Sequence, residues 1–410
     1  MTRELASPAV PSFLEVASAG KVEVKLETTP PTATPALVAN ASATPPSAET
    51  SAGRIAALLD AAPPPEEIVL HIQRGNDKQH VFRLYVDGQI LEQHFLASPP
   101  ERLIDRGSGA DVITQARATT ALSIEVRRVL ARLRECAARH KDPWLCIDEL
   151  KSTGIVWELL PIEVDEPPLG VLFNVWRRET LLIGADPLEA CDWVRRSVSG
   201  AILSYCAPDV RSEWSPHHHV LAPSDFASLR AALRDGGHSA ALIYLYCHCH
   251  QGKSTMRTIL GEYGVAEQVV DASYLLGLKC KLLTESQPVV FLNACGSASR
   301  SADDAYLPGT HTSFASLFLK RGAVGVIATL VPVQTRLAAR LGERIIALAH
   351  ERAEGRRLRS VPEILRVLRH EIYETYKDVD LVDDPDAADH YCHAFLYIYL
   401  GAPRAHLEFG

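Results

Sequence analysis

Short apolar runs that alternate with helical patterns set the strongest limit on how the second half of this chain can fold. Strand-length runs begin at Ala241 and Val289, and a third covers 322–330. Segments with helical spacing lie between and after them, near 267–277, 311–320, 334–351 and 361–375. Strands separated by helices favour a mostly parallel sheet. We therefore predict an α/β fold with a central sheet and helices on both of its faces.

The first half of the chain divides into regions of different composition. Residues 1–65 hold ten of the 26 prolines, mixed with Ala, Ser and Thr, and this composition predicts a disordered tail. Residues 66–115 contain two alternating runs, at 68–72 and 81–86, which indicate a β-hairpin or meander. Apolar spacing predicts a helix over 117–139. We take 116–410 as the α/β domain.

Charge and cysteine content limit the partners and the compartment. The net charge of −8 disfavours a large basic surface, so no direct nucleic-acid partner is expected. The nine cysteines are odd in number and form no CxxC pair, which favours reduced thiols in the cytoplasm. There is no signal-peptide pattern, and no apolar run reaches the roughly 20 residues of a membrane span.

A thiol and an imidazole stand at the ends of the two best-defined strands. One run ends in Tyr246-Cys-His248 and the other in Asn293-Ala-Cys295, followed by Gly296. Open α/β sheets form their sites at the carboxyl ends of strands, and a Cys/His pair is the minimum for thiol nucleophilic catalysis. His250 lies on the same side of its strand as His248 and is a rival base. Taken alone, Cys295 also fits a buried structural cysteine.

The His-bearing segment has some features of a zinc site and of a phosphate-binding loop. Alternation separates Cys247 and Cys249 from His248 and His250, which leaves too few ligands on one face for a closed zinc site. Residues 251–255 end like a phosphate-binding loop, but Cys247 stands where the first glycine of that motif is required. We therefore expect neither a metal nor another cofactor, although a Cys/His metal-dependent hydrolase stays an alternative.

Together the two strand ends resemble the CHAT domain, the bacterial caspase-like and separase-like branch of the cysteine peptidases (clan CD). That branch has an apolar–Cys/Thr–His strand end followed, some tens of residues later, by a strand ending in Ala-Cys. Residues 154–161, 312–329 and 394–401 are similar to further elements of the family. The resemblance covers about 115–405. It implies a caspase-like three-layer sandwich, here preceded by the β-rich N-terminal element.

The resemblance also implies roles for individual residues. Cys295 would be the nucleophile and His248 the general base and acid. The backbone N–H groups of Cys249 and Cys295 would bind the oxyanion, with Cys249 standing where the family usually has glycine. Asn293 would line the substrate pocket. In a following loop, Asp303 and Asp304 would favour an arginine or lysine in the substrate, or form a solvated acidic loop.

By the same resemblance, the chain is expected to be a cysteine endopeptidase that cleaves a specific protein substrate. The expected setting is antiviral defence or regulated cell death in bacteria, with a pore-forming protein or a toxin–inhibitor pair as substrate and an upstream activator. A catalytically inactive caspase-like scaffold remains the second alternative.

Overall fold

The computed structural model describes most of the chain beyond residue 67. The described residues are 68–74, 80–96, 108–149, 155–161, 166–178, 196–208, 210, 220–223, 225–250, 259–261, 269–277, 280–298, 313–351 and 358–409. All of them belong to one compact unit, Ile55–Gly410. The predicted tail, 1–65, lies outside the described residues.

Three strands form an antiparallel meander at the start of the described chain: β1 (Ile68–Arg74), β2 (His80–Val86) and β3 (Gln89–Leu96). A turn at Asp87 and Gly88, both with positive φ, joins β2 to β3. The antiparallel strands predicted within 66–115 are therefore present, with a third strand added.

Two helices follow where the sequence predicted one over 117–139: α1 (Gly109–Leu122) and α2 (Ile124–Arg139). Ser123 has an extended backbone, and its hydroxyl accepts a hydrogen bond from the Val126 N–H at 3.2 Å. A serine whose side chain caps the second helix ends the first, so the predicted single helix was wrong.

The remaining elements alternate between strands and helices. In chain order they are β4 (Trp144–Glu149), α3 (Leu169–Leu172), β5 (Asn174–Arg178), β6 (Arg196–Cys206), β7 (Val220–Leu221), α4 (Phe226–Asp235), β8 (Ala240–Tyr246), β9 (Cys249–His250), β10 (Ile259–Gly261), β11 (Val269–Asp271), α5 (Ala272–Gly277), α6 (Lys281–Ser286), β12 (Val289–Asn293), α7 (Phe314–Lys320), β13 (Gly325–Thr329), α8 (Thr335–His350), α9 (Val361–Tyr376), α10 (Pro385–Leu396), β14 (Tyr397–Gly401) and β15 (Ala405–Phe409).

Within the described residues, twelve strands form one large sheet. Its order is β15-β6-β8-β12-β13-β14-β5-β4-β1-β2-β3, with β7 paired to β6. The pairs from β6 to β13 are parallel, as are those from β14 to β1; β13 with β14 and the meander are antiparallel. A separate small sheet has the order β11-β10-β9. The predicted α/β fold with a mostly parallel sheet is confirmed.

The central strands are covered on both faces. Every residue of β8, β12 and β13 is buried, which an exposed sheet face would not allow. Burial of these apolar strands on both sides is the main source of stability for such a sheet, at about 25 cal/mol per Å² of apolar surface. The sheet therefore holds its central strand ends rigidly.

Two apolar runs were assigned to the wrong element from sequence. Residues 267–277, predicted as a helix, contain the strand β11 before α5. The segment 394–401, which the family resemblance implies is a closing strand, begins as the last turn of α10 and becomes strand only at Tyr397. Helix and strand cannot be distinguished by periodicity in apolar runs this short.

Candidate active site

The strand register places the predicted nucleophile and base at neighbouring positions of the sheet edge. Strands β8 and β12 are parallel neighbours, and Asn293 pairs directly with Tyr246. His248 and Cys295 each lie two residues beyond that pair. Adjacent strands are about 4.8 Å apart, so the two residues leave the sheet side by side. The strand register thus places the two residues after neighbouring strand ends, and their action on one another stays a prediction.

Cys295 lies on a tight turn directly after β12. The turn passes through Gly296, whose φ of +60° is disfavoured for residues with a Cβ. The Cys295 side chain is partly exposed, and its Sγ lies 3.7 Å from the Val333 carbonyl. A partly exposed thiol at a sheet edge is accessible to a substrate, unlike the fully buried cysteines of the core.

The backbone N–H groups that follow Cys295 on this turn are hydrogen bonded within the protein. The next three N–H groups are already used, because those of Gly296, Ser297 and Ala298 donate to carbonyl oxygens at 3.0, 3.2 and 2.8 Å. The carbonyls belong to Val331, Ala294 and Thr329. Among the described residues, these three N–H groups are thus used within the protein, and the oxyanion role that the resemblance implies for the Cys295 N–H stays a prediction.

The second predicted donor, the Cys249 N–H, also points away from its strand partner. Cys249 pairs with Leu260 in the β9–β10 ladder, and the Gly261 N–H donates to the His248 carbonyl at 2.9 Å. Hydrogen-bonded and non-bonded pairs alternate in an antiparallel ladder, so Cys249 and Leu260 form a non-bonded pair. The Cys249 N–H thus faces the opposite side from β10.

The two candidate bases differ in exposure and position. Their rings lie on the same side, with centroids 6.0 Å apart, as the alternation along the strand predicted. His248 is partly buried, whereas His250 is exposed and pairs with Ile259 in the small sheet. His248 and Cys295 each follow the last pair of the β8–β12 register, Tyr246 with Asn293, by two residues. This geometry favours His248.

Cys249 is a second thiol at the site, and its chemistry differs from that of Cys295. Burial, and secondarily the electrostatic effect of Cys295, raise the pKa of Cys249 to about 12. A thiol with this pKa stays protonated at neutral pH and is a poor nucleophile.

Asn293 is buried beneath the strand ends with its amide fully hydrogen bonded. Its Nδ2 donates to the Tyr244 hydroxyl and to the Ala338 carbonyl, both at 2.8 Å, and its Oδ1 accepts from the Tyr397 hydroxyl at 2.6 Å. The side chain is 2% exposed. A substrate-lining role for Asn293 stays a prediction, but as placed the amide connects β8, β12, β14 and α8.

The tyrosines of this network were not predicted from the sequence. Tyr244 lies two residues before Tyr246 on β8, and burial raises its pKa well above the ordinary value. Tyr397 is buried in the same way. Alternation along β8 would have placed Tyr244 on the same face as Tyr246. Tyr397, which donates to Asn293, is 104 residues from Asn293 in the chain, and no local pattern indicates that contact.

Another histidine near the turn is excluded as a base by its hydrogen bonds. His393 is buried; its Nδ1 bonds to the Asp389 carbonyl and its Nε2 accepts from the Gln334 N–H at 3.2 Å. With both ring nitrogens occupied, this imidazole is held neutral, and burial lowers its pKa.

Asp303 and Asp304 lie outside the described residues, so their predicted role in specificity stays a prediction. Within the described part of the chain, no group of three His, Cys, Asp or Glu side chains is arranged to hold a metal ion. Nor does any helix there have the length and apolarity needed to cross a bilayer. All eight cysteines in the same part are free thiols.

Comparison with known proteins identifies the domain that carries this site. A family model of the CHAT domain matches residues 200–370, a segment that includes both His248 and Cys295. No curated protein sequence matches the chain.

Among solved structures, the Arg-specific cysteine proteinase gingipain R (RgpB) is similar, with 12% identity, a TM-score of 0.42 and coverage of 70% of this chain and 69% of that chain. The Saccharomyces cerevisiae separase of a separase–securin complex is similar at 14% identity and a TM-score of 0.39, over 66% of this chain and only 16% of that chain. Likenesses at these TM-scores specify neither substrate nor mechanism.

Proposed function

Because the chain contains a CHAT domain, we propose that it is a cysteine endopeptidase in which Cys295 is the nucleophile and His248 the general base and acid. The observation that supports this most directly is the Tyr246–Asn293 pairing, since His248 and Cys295 each follow that pair by two residues at one sheet edge inside the matched segment. The exposed His250 and the buried His393 fit the role less well.

The arrangement accounts for each step of acyl transfer. His248 takes the proton of the Cys295 thiol, and the thiolate attacks the scissile carbonyl carbon. The resulting oxyanion lies within reach of N–H groups such as those of Cys295 and Cys249. When the C–N bond breaks, His248 returns the proton to the leaving amine. Water then attacks the thioester with His248 as base, which releases the acid and restores the thiol.

The proposed substrate is a specific partner protein rather than any exposed peptide. The setting proposed is the cytoplasm of a bacterium, in a defence or regulated cell-death pathway, and the support for it is the CHAT resemblance. A pore-forming protein or a toxin–inhibitor pair would be cleaved once an upstream activator engages the chain. The free thiols of the described residues are consistent with a reducing compartment.

The proposal is tested by co-expressing the chain with candidate substrate proteins and comparing four forms: wild type, Cys295→Ala, His248→Ala and His250→Ala. We expect a cleaved protein with wild type and His250→Ala, and none with the other two. A peptidyl chloromethyl ketone should label Cys295 in the wild type.

Two outcomes would replace the proposal. A biological effect that survives Cys295→Ala, with the fold intact by circular dichroism, would indicate an interaction scaffold. Activity that chelators abolish and added metal restores would indicate a metal-dependent hydrolase.

A further inference from the structure

Thr329, the last residue of β13, makes three hydrogen bonds to the turn that carries Cys295. Its N–H donates to the Ser297 hydroxyl at 3.2 Å, and its carbonyl accepts from the Ala298 N–H at 2.8 Å. Its own hydroxyl donates to the Ala294 carbonyl at 2.6 Å. The first two bonds use the backbone, whereas the third requires a hydroxyl on the side chain at this position.

The strand register places Thr329 next to the end of β12. β13 is the parallel neighbour of β12, and Ala328 pairs with Leu292, the residue before the last one of β12. Thr329 continues β13 by one residue beyond that pair and is fully buried. A hydrogen bond buried in this way does not compete with water, so it holds its acceptor in one place.

The Ala294 carbonyl belongs to the same peptide unit as the Cys295 N–H. Such a unit is planar, and the described residues contain no cis peptide bond. In a trans unit the C=O and the N–H point in opposite directions, so a group that fixes the oxygen also fixes the direction of the N–H. The carbonyl accepts from the Ser297 N–H at 3.2 Å and from the Thr329 hydroxyl at 2.6 Å. These two donors therefore set the orientation of the Cys295 N–H.

From these contacts we infer that Thr329 is a positioning residue for acyl transfer: its hydroxyl fixes the peptide unit whose N–H is proposed to bind the oxyanion. The inference rests on the proposed function, which gives that role to the Cys295 N–H. Oxyanion donors stabilise a transition state because they are preorganised, so their direction matters as well as their presence. A hydrogen bond accepted by the Ala294 carbonyl also polarises the amide and strengthens its N–H as a donor.

Two reagents separate the orientation of this N–H from the reactivity of the thiol. Acetylation by p-nitrophenyl acetate passes through an oxyanion: the Cys295 thiolate adds to the ester carbonyl, and p-nitrophenolate then leaves with the electrons of its C–O bond. Alkylation by iodoacetamide displaces iodide directly and forms no oxyanion. Both rates at Cys295 are followed on the full chain by mass spectrometry. Their ratio reports on the oxyanion donors.

Thr329→Val replaces the hydroxyl with a methyl group and keeps the shape of the side chain. We expect the acetylation rate at Cys295 to fall by at least about tenfold and the alkylation rate to stay within about twofold of wild type. Thr329→Ser keeps the hydroxyl and should retain acetylation within about threefold, although it loses a buried methyl group. Thr329→Ala also lacks the hydroxyl, and it takes the place of Thr329→Val if that variant does not fold.

The matched control removes a buried threonine hydroxyl outside the segment that the CHAT model matches. Thr120 on α1 donates to the Pro161 carbonyl at 3.2 Å, so Thr120→Val loses the same kind of bond. It should leave both rates at Cys295 unchanged. His248→Ala provides the contrasting case, because loss of the proposed base should slow both reactions at neutral pH.

Equal falls in acetylation and alkylation in Thr329→Val, or no fall in either, would overturn the inference. Loss of acetylation in Thr329→Ser, or a wild-type Cys295 that is alkylated but not acetylated, would overturn it as well. In all these cases the proposed function would still be judged on Cys295→Ala and His248→Ala. A wild-type Cys295 that neither reagent modifies would contradict the proposed function itself, and this inference with it.

Discussion

Single residues at the sheet edge differ in chemistry although they are close in space. Cys295 is a partly exposed thiol on a tight turn, whereas Cys249 is a thiol whose pKa of about 12 keeps it protonated. Cys249 stands where glycine was expected from the family resemblance, but its N–H faces away from β10 in the β9–β10 ladder and is proposed to bind the oxyanion. The side chain at position 249 is therefore separable from the backbone group that the chemistry uses.

Replacing the Cys249 side chain should leave activity nearly intact. Cys249→Ala retains the backbone N–H and removes only a protonated thiol, so we expect kcat/KM within about threefold of wild type. In the matched variant Cys295→Ala, activity should be lost. Iodoacetamide at pH 7.5, followed by mass spectrometry, should modify Cys295 and spare Cys249. Activity that depends on Cys249 would move the nucleophile to the neighbouring strand end.

At the scale of elements, helix α8 packs closely against the ends of β8 and β12 at one small residue, Gly342. A Cβ on Gly342 would lie 2.4 Å from the Tyr244 hydroxyl and 3.0 Å from the Asn293 Nδ2. The hydrogen bonds of Asn293 to Ala338 and Tyr244 depend on this close approach. Helix α8 therefore supports the end of β12, and with it the turn that carries Cys295.

Gly342→Ala should destabilise the protein even though alanine favours helices by about 1 kcal/mol over glycine. The added methyl group overlaps a buried hydroxyl, and overpacking of this kind costs about 1–3 kcal/mol. In a Tyr244→Phe background, where that oxygen is absent, the cost of Gly342→Ala should fall by at least about 1 kcal/mol. Urea unfolding of all four forms measures this coupling, and additive effects would contradict it.

Sequence patterns predicted elements well where they were long or flanked by clear signals. Helices α8 and α9 and strands β8 and β12 lie within a few residues of their predicted positions, and the order of strands and helices gave the parallel sheet. The split at Ser123 and the change from α10 to β14 at Tyr397 were missed. Both boundaries depend on capping or on tertiary pairing, which override local apolar spacing.

The candidate site was predictable in part for a similar reason. Strand ends can be identified locally, so Cys295 and His248 were predicted from sequence, and the register then placed them side by side. The hydrogen bonds of Asn293 to Tyr397 and Ala338 join segments 104 and 45 residues apart. Contacts over such separations carry no periodic signal, and so the packing beneath the site came only from the structure.

For the molecule as a whole, buried polar contacts connect the N-terminal meander to the neighbouring parallel strands of the large sheet. His71 on β1 pairs with Asp148 on β4, and their side chains are 3.0 Å apart. Arg178 on β5 meets the same carboxylate at 2.7 Å. Burial opposes ionisation of Asp148, but the hydrogen bond from His71 and the charge of Arg178 outweigh it and hold its pKa well below the ordinary value.

The Asp148 carboxylate should make the free energy of unfolding depend on pH in the acid range. A lowered pKa in the folded state means that the stabilisation is complete above the unfolded value, near 4, and is lost progressively as pH falls below it. Asp148→Asn should therefore lose roughly 2–4 kcal/mol of unfolding free energy at pH 7 and show a flatter decline between about pH 4 and 2. Urea unfolding across this range tests it, with the exposed Asp378→Asn as control; parallel pH profiles for both variants would contradict the assignment.

The meander also shares its core with the segment around Trp157, and we therefore expect the two to unfold cooperatively. Phe82 on β2 is fully buried, and its ring meets that of Trp157 edge-on at 5.6 Å. Phe82→Ala should cost about 3–5 kcal/mol. Because β1 also pairs with β4, we expect this loss to lower the stability of the whole unit in a single transition.

Circular dichroism and tryptophan fluorescence should then give coincident urea curves for Phe82→Ala, both shifted to lower denaturant. The control is Phe95→Ala on β3, a side chain 58% exposed, which should change stability by less than about 0.5 kcal/mol. If the meander were a module that unfolds by itself, Phe82→Ala would produce an early transition of partial amplitude while the remaining sheet unfolded at the wild-type midpoint. A single shifted transition would instead show that the antiparallel strands and the parallel sheet with the candidate site unfold as one body.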